Sequence, residues 1–94
     1  MYKVNLLSDA GAIVNGSTFQ MPYNSKAENL PVQIAGITNA TVRIEGSFDG
    51  STFDVITGTN VTADACITVP VAYPFMRAAV TAWVSGSITV TMGY

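Results

Sequence analysis

Between Thr41 and Ile56 the chain reads T-V-R-I-E-G-S-F-D-G-S-T-F-D-V-I, two runs of alternating apolar and polar residues on either side of Asp49-Gly50. Period-two alternation is the signature of a half-buried strand. Asp-Gly between two such runs marks a tight hairpin, because the turn needs positive φ and glycine adopts it at low cost. The register then follows from parity. A loop of two residues sets Gly46 opposite Phe53 and Ile44 opposite Val55, and a loop of four sets Phe48 opposite Phe53. Either puts Val42, Ile44, Phe48, Phe53 and Val55 on one face, whereas an odd loop without a bulge would split them. The other face carries Arg43, Glu45, Ser47 and Asp54, with Glu45 opposite Asp54 in the shorter loop.

The same alternation recurs along the chain. In Met1–Leu7, Tyr2, Val4 and Leu6 alternate with Lys3, Asn5 and Leu7, and residues 8–11 form a turn. Ala12–Val14 and Thr18–Met21 flank Asn15-Gly16, which predicts a small second hairpin. Pro22–Pro31 is polar and bounded by proline, and reads as a surface loop or ordered arm. Val32–Ala35 is a strand with Val32 and Ile34 inward, and Gly36–Ala40 turns into the central hairpin. Thr57–Asp64 is a loop or edge segment, and Cys66–Pro70 a strand that proline ends. Phe75–Val84 is the longest strand, turned by Ser85-Gly86 into Ser87–Met92. That turn pairs Trp83 with Ile88 and makes Trp83, Ile88, Val90 and Met92 a second core face, the partner of the central hairpin. Met76, Ala78, Val80, Ala82 and Val84 fall on the opposite face, where small apolar groups suit a dry contact with another surface.

About eight short strands, turn signals every 8–12 residues and no credible helix predict one all-β domain over residues 1–94, a single antiparallel β-sandwich of jelly-roll type. Ninety-four residues suffice for one modest core. No apolar run reaches the length of a membrane span. The N-terminus lacks the basic, apolar and small-residue regions of a signal peptide, which predicts synthesis and use in a cytoplasm.

Charge changes the picture most. Four basic and six acidic residues make up 11% of the chain, against roughly 25% in an average soluble protein. Thr, Ser, Asn, Ala and Gly stand in their place. A small free monomer ordinarily carries more charge, so this surface points to a protein covered by other chains. Lys3, Lys26, Arg43 and Arg77 are scattered, which excludes a phosphate-binding patch and hence nucleic acid. Cys66, the one cysteine, reads as core filler.

The chain has no histidine, which removes Ser-His-Asp and Cys-His catalysis and histidine metal sites. A Glu45/Asp54 pair could in principle serve acid–base chemistry. On an open sheet face beside Arg43 it reads instead as solvated charge. Asp49-Gly50-Ser51 lacks the acidic density of a calcium loop. No catalytic residue, metal ligand or cofactor is assigned. Arg77 alternates with Phe75 and Ala79 and must be paired if it is buried, which predicts a structural ion pair with one of the few acids.

The pieces T-V-R-I-E-G-S-F-D-G-S-T-F, F-M-R-A-A-V and G-S-I-T-V-T-M together resemble small β-sandwich structural proteins of tailed bacteriophages, a group that includes capsid decoration, or cement, proteins. The likeness covers Thr41–Tyr94. It also extends to the C-terminal part of galactose-binding-like jelly rolls, from which this chain departs in length and in lacking their disulfide and long ligand loops. The phage resemblance implies a non-enzymatic virion protein on the capsid surface. It would bind the major capsid protein at symmetry-related sites and associate with itself, with a trimer favoured. The alternatives are a carbohydrate-binding module, with Tyr23 or Tyr73 in a concave site, or another virion connector or tail-associated sandwich. The residues expected at an interface are Met1, Tyr2, Lys3, Tyr23, Lys26, Glu28, Tyr73 and Pro74. Asp49, Gly50, Phe53, Arg77 and Trp83 are expected to be structural.

Overall fold

The computed structural model describes residues 2–22, 28–56 and 58–94. Its elements are β1 (Lys3–Ala10), β2 (Val14–Asn15), β3 (Phe19–Gln20), β4 (Glu28–Ser47), β5 (Asp54–Val55), β6 (Ala65–Val71) and β7 (Phe75–Gly93). The described residues form one antiparallel sheet and no helix. β4 and β7 pair with each other from Val32↔Met92 to Ser47↔Phe75 and form the spine. Along the outer edge of β7 lie β1, then β2, then β3. Along the outer edge of β4 lie β6, then a bridge from Val61 to Val42, then β5.

The spine cannot be straight. A strand of 19 residues would extend about 60 Å at ~3.3 Å per residue, and the longest dimension of the molecule is 37 Å. The bend lies where Gly36 (φ 88°) and Gly86 (φ 127°) face each other. A Cβ on Gly36 would overlap the Ser87 carbonyl, and one on Gly86 would lie 2.6 Å from the Gly36 carbonyl oxygen. Register shifts cluster between Ala35↔Thr89 and Val42↔Val80, and across them β7 advances two residues more than β4. Bulges of this kind kink a strand and turn a sheet corner. Because the excess is even, even-numbered side chains point inward on both sides of the bend. Leu30, Val32, Ile34, Val42 and Ile44 of β4, with Met76, Ala78, Val80, Ile88, Val90 and Met92 of β7, are all buried in one cluster. The two halves of the sheet thus face each other across a single β-sandwich-like core. The Asp64 carboxylate accepts the Ile37 N–H at 2.8 Å and ties the bend to the segment before β6.

Residues 36–40 and Ser85-Gly86 are not turns: β4 and β7 run through both, so Trp83 pairs with Ala40 and not with Ile88. Since β7 keeps its parity, Met76, Ala78 and Val80 belong to the core and not to an outer contact face, while Ala82 and Val84 are exposed at the bend. Trp83 is half-buried, its indole N–H donating to the Gly86 carbonyl at 3.1 Å. Asn15-Gly16 makes no hairpin, since β2 and β3 both pair with β7 and the Gly16 N–H donates to the Ala78 carbonyl. Cys66 is exposed, because Ile67 and Val69 take the inward positions of β6. Leu6 and Leu7 are both buried through a bulge in β1. Of the proline-bounded segment, 23–27 lies outside the described residues, and Glu28–Pro31 opens β4. Val32 and Ile34 point inward as expected.

Gly86→Ala is expected to cost about 2–3 kcal/mol, as backbone strain and collision act together. Gly58 also has positive φ, but nothing lies within 4 Å of its added Cβ. Gly58→Ala should therefore cost only about 1 kcal/mol. Urea unfolding of the two variants measures the difference, and equal losses would show that the bend does not need close approach.

Candidate binding site

The far end of β4 departs furthest from the expected hairpin. Glu45 pairs with Val55 and Gly46 with Asp54, so the loop covers residues 47–53, an odd number. The predicted apolar face is split accordingly. Val42 and Ile44 are buried, Val55 is exposed and Phe48 is 79% exposed. The cause is a side-chain-built turn. The Ser47 hydroxyl donates to Asp49 Oδ1 at 2.9 Å and accepts the Gly50 N–H at 2.9 Å. Asp49 Oδ1 also accepts the N–H groups of Ser51 (2.8 Å) and Thr52 (2.9 Å). Ser and Asp compete with ladder pairing in this way wherever they can reach nearby amides. The hydrogen bonds from Thr52, Ser51 and Ser47 hold the Asp49 carboxyl down to about 2. Gly50 takes φ 77°, as the tight step requires.

On the outer face of the same half-sheet, Glu45 is not solvated, as expected from the sequence, but 2% exposed. Its Oε1 accepts from Arg77 Nε at 2.6 Å and its Oε2 from Arg43 at 2.7 Å. The expected ion pair of Arg77 is thus present, with Glu45 as its acid. The Arg77 guanidinium also lies 4.0 Å from the centroid of the Phe53 ring, which covers it from the outside instead of filling the core. Burial pushes the Glu45 carboxyl up, but hydrogen bonds from Arg77 and Arg43 and their charges outweigh it, so its pKa lies below the ordinary value. Both carboxylate oxygens are engaged, and Asp54 stands opposite Gly46 and not opposite Glu45, so the two acids form no catalytic pair.

Around the end of β4 lies a cleft of about 530 Å³, lined by Gly46, Phe48, Thr52, Asp54 and Tyr73 among others. Tyr73 packs closely on Gly46, where an added Cβ would lie 2.5 Å from Tyr73 Cδ2. Phe48 stands edge-on to Tyr73, with centroids 5.4 Å apart and rings at 77°. The sequence does contain the signals for this site. A glycine within a strand marks a close approach, and Ser-x-Asp-Gly is the pattern of a side-chain-capped turn.

Of the residues expected at an interface, Tyr2, Lys3, Glu28, Tyr73 and Pro74 gather at the end of the molecule opposite the bend. Tyr2 exchanges two backbone hydrogen bonds with Tyr94, and Lys3 pairs with Gly93. The Tyr94 ring is 4.9 Å from that of Phe19, the Met21 N–H donates to the Pro74 carbonyl, and Glu28 pairs with Val71. Met1, Tyr23 and Lys26 lie outside the described residues. Among the described residues no three acid, cysteine or histidine side chains group as metal ligands. Nor, among the described residues, is any helix long and apolar enough to cross a membrane. Compared with family models, with curated proteins and with solved structures, the chain matches none.

Because the folded pKa of Glu45 is depressed, its contribution to stability is present above the unfolded value of 4.5 and is lost as pH falls through the lower folded value. Arg43 and Arg77 are 35% and 21% exposed, so solvent screens part of the pairing. Glu45→Gln should cost about 2–3 kcal/mol at pH 7. It should also flatten the decline in stability just below pH 4.5. Denaturation followed across pH measures both, and an unchanged acid limb would contradict the clamp.

Proposed function

We propose that the chain is a non-enzymatic structural protein of a phage virion, a capsid decoration protein that binds the major capsid protein and associates with itself. The observation that carries this reading is a surface poor in charge that nevertheless exposes Tyr2, Ile13, Val14, Val71 and Val84. Solvated monomers ordinarily dilute such side chains with charge, and protein-covered surfaces do not need to. Two further features support it. The hairpin and strand motifs of Thr41–Tyr94 resemble those of tailed-phage structural sandwiches. Tyr2, Glu28, Tyr73 and Pro74 stand together at one end of the fold, where a single partner surface could meet all four.

In this role the chain does no chemistry. A specific interface buries roughly 1,200–2,000 Å², and many copies repeated over a lattice resist distortion together although each contact is modest. The partners are the major capsid protein and further copies of this chain, most simply as a trimer about a local threefold axis. Nucleic acid and membrane have no part in it, and the location is the outer surface of the capsid after synthesis in the host cytoplasm.

The test is co-sedimentation of the purified chain with empty shells assembled from the capsid protein encoded alongside it. The expected result is saturable binding at a stoichiometry set by the lattice. Binding to isolated tails instead would favour a connector role, and a monomer that binds neither would contradict the proposal.

A further inference from the structure

We infer that the cleft between the Ser47–Phe53 loop and Tyr73 binds a neutral, hydroxyl-rich ring sugar, with Phe48 as the stacking platform and the Asp54 carboxylate as the acceptor for its hydroxyls. The inference rests on the geometry of the cleft and not on the capsid reading.

A single exposed apolar side chain would need no explanation. Phe48 differs because its exposed ring stands beside a second aromatic ring, at 77° to Tyr73 with centroids 5.4 Å apart. Tyr73 can stand there only because residue 46 has no side chain. The result is a pair of aromatic rings lining a cleft whose volume, about 530 Å³, falls within the roughly 300–1,000 Å³ of small-ligand sites.

The polar groups of the cleft divide in two. Asp49 is committed to the turn, with Oδ1 accepting three hydrogen bonds. The Asp54 carboxylate makes no hydrogen bond or ion pair among the described residues, and neither does the Thr52 hydroxyl. A free carboxylate is an acceptor with about four lone-pair sites, suited to adjacent hydroxyl donors. An aromatic face carries negative quadrupole charge and attracts the weakly positive C–H groups of a sugar ring. A pyranose presents both surfaces, a C–H face for Phe48 and a hydroxyl rim for Asp54 and Thr52. Among the described residues no Lys or Arg lines the cleft and two carboxylates do, so sialic or uronic acids and phosphates are disfavoured.

The experiment is a ¹⁵N NMR titration of the whole chain with glucose, galactose, mannose and N-acetylglucosamine in turn, and with choline as a cationic probe. Millimolar affinity for at least one sugar is expected, with shifts centred on the amides of Phe48, Thr52 and Asp54. Phe48→Ala should weaken binding by about tenfold or more and Asp54→Asn by about threefold to tenfold. Both positions are exposed, and retained spectral dispersion verifies the fold of each variant. Absence of shifts with all four sugars, shifts centred elsewhere, binding indifferent to Phe48→Ala, or response to choline alone would overturn the inference. None of these outcomes bears on co-sedimentation with capsids, so the two readings fail separately.

Discussion

Everything in this fold depends on the pairing of β4 with β7 and on the single place where that pair bends. Two strands of 20 and 19 residues cannot lie flat in a domain of this size. They can enclose a core only by folding across themselves. Gly36 and Gly86 let the two backbones approach where side chains would collide, and the even register excess in β7 keeps the same parity inward on both sides. A one-residue excess would have turned half of the apolar side chains outward. The short strands are consequences: each adds to whichever edge of the spine passes it, which is why β2 and β3 need no partner but β7.

The second constraint is electrostatic. Only ten residues carry charge, and three of them, Arg43, Glu45 and Arg77, are spent on one clamp across the spine. Burying a carboxylate is costly unless both oxygens are paired, and here both are. Phe53 over Arg77 completes the cover. Tying three of the ten charges into one clamp on the outer face leaves the remaining surface still more neutral, which accords with the proposed life among other protein chains.

The all-β class, the antiparallel pairing and the inward set Val32, Ile34, Val42 and Ile44 are legible in the alternation, because parity along a strand is a local property. The bend is not. Gly36 and Ser85-Gly86 look like turns, since glycine serves equally at a hairpin and at a bulge, and only the partner strand decides between them. The odd loop at Asp49-Gly50 escaped for a related reason. Parity favours an even loop, but the Ser47 and Asp49 side chains capture four backbone amides, including that of Asp49 itself, and local hydrogen bonds overrode the ladder. The cleft was invisible because Tyr73 and Gly46 are distant in sequence. The ion pair of Arg77 was legible because a half-buried cation in so acid-poor a chain has few partners to choose from.

If the bent β4–β7 pair is the structural unit, both halves must open together. Native-state hydrogen exchange across a range of denaturant tests this most directly. The slowest amides of β4 and β7, on both sides of Gly36 and Gly86, are expected to share one opening free energy equal to that of global unfolding. Two separate plateaus, with one half opening while the other stays protected, would contradict it.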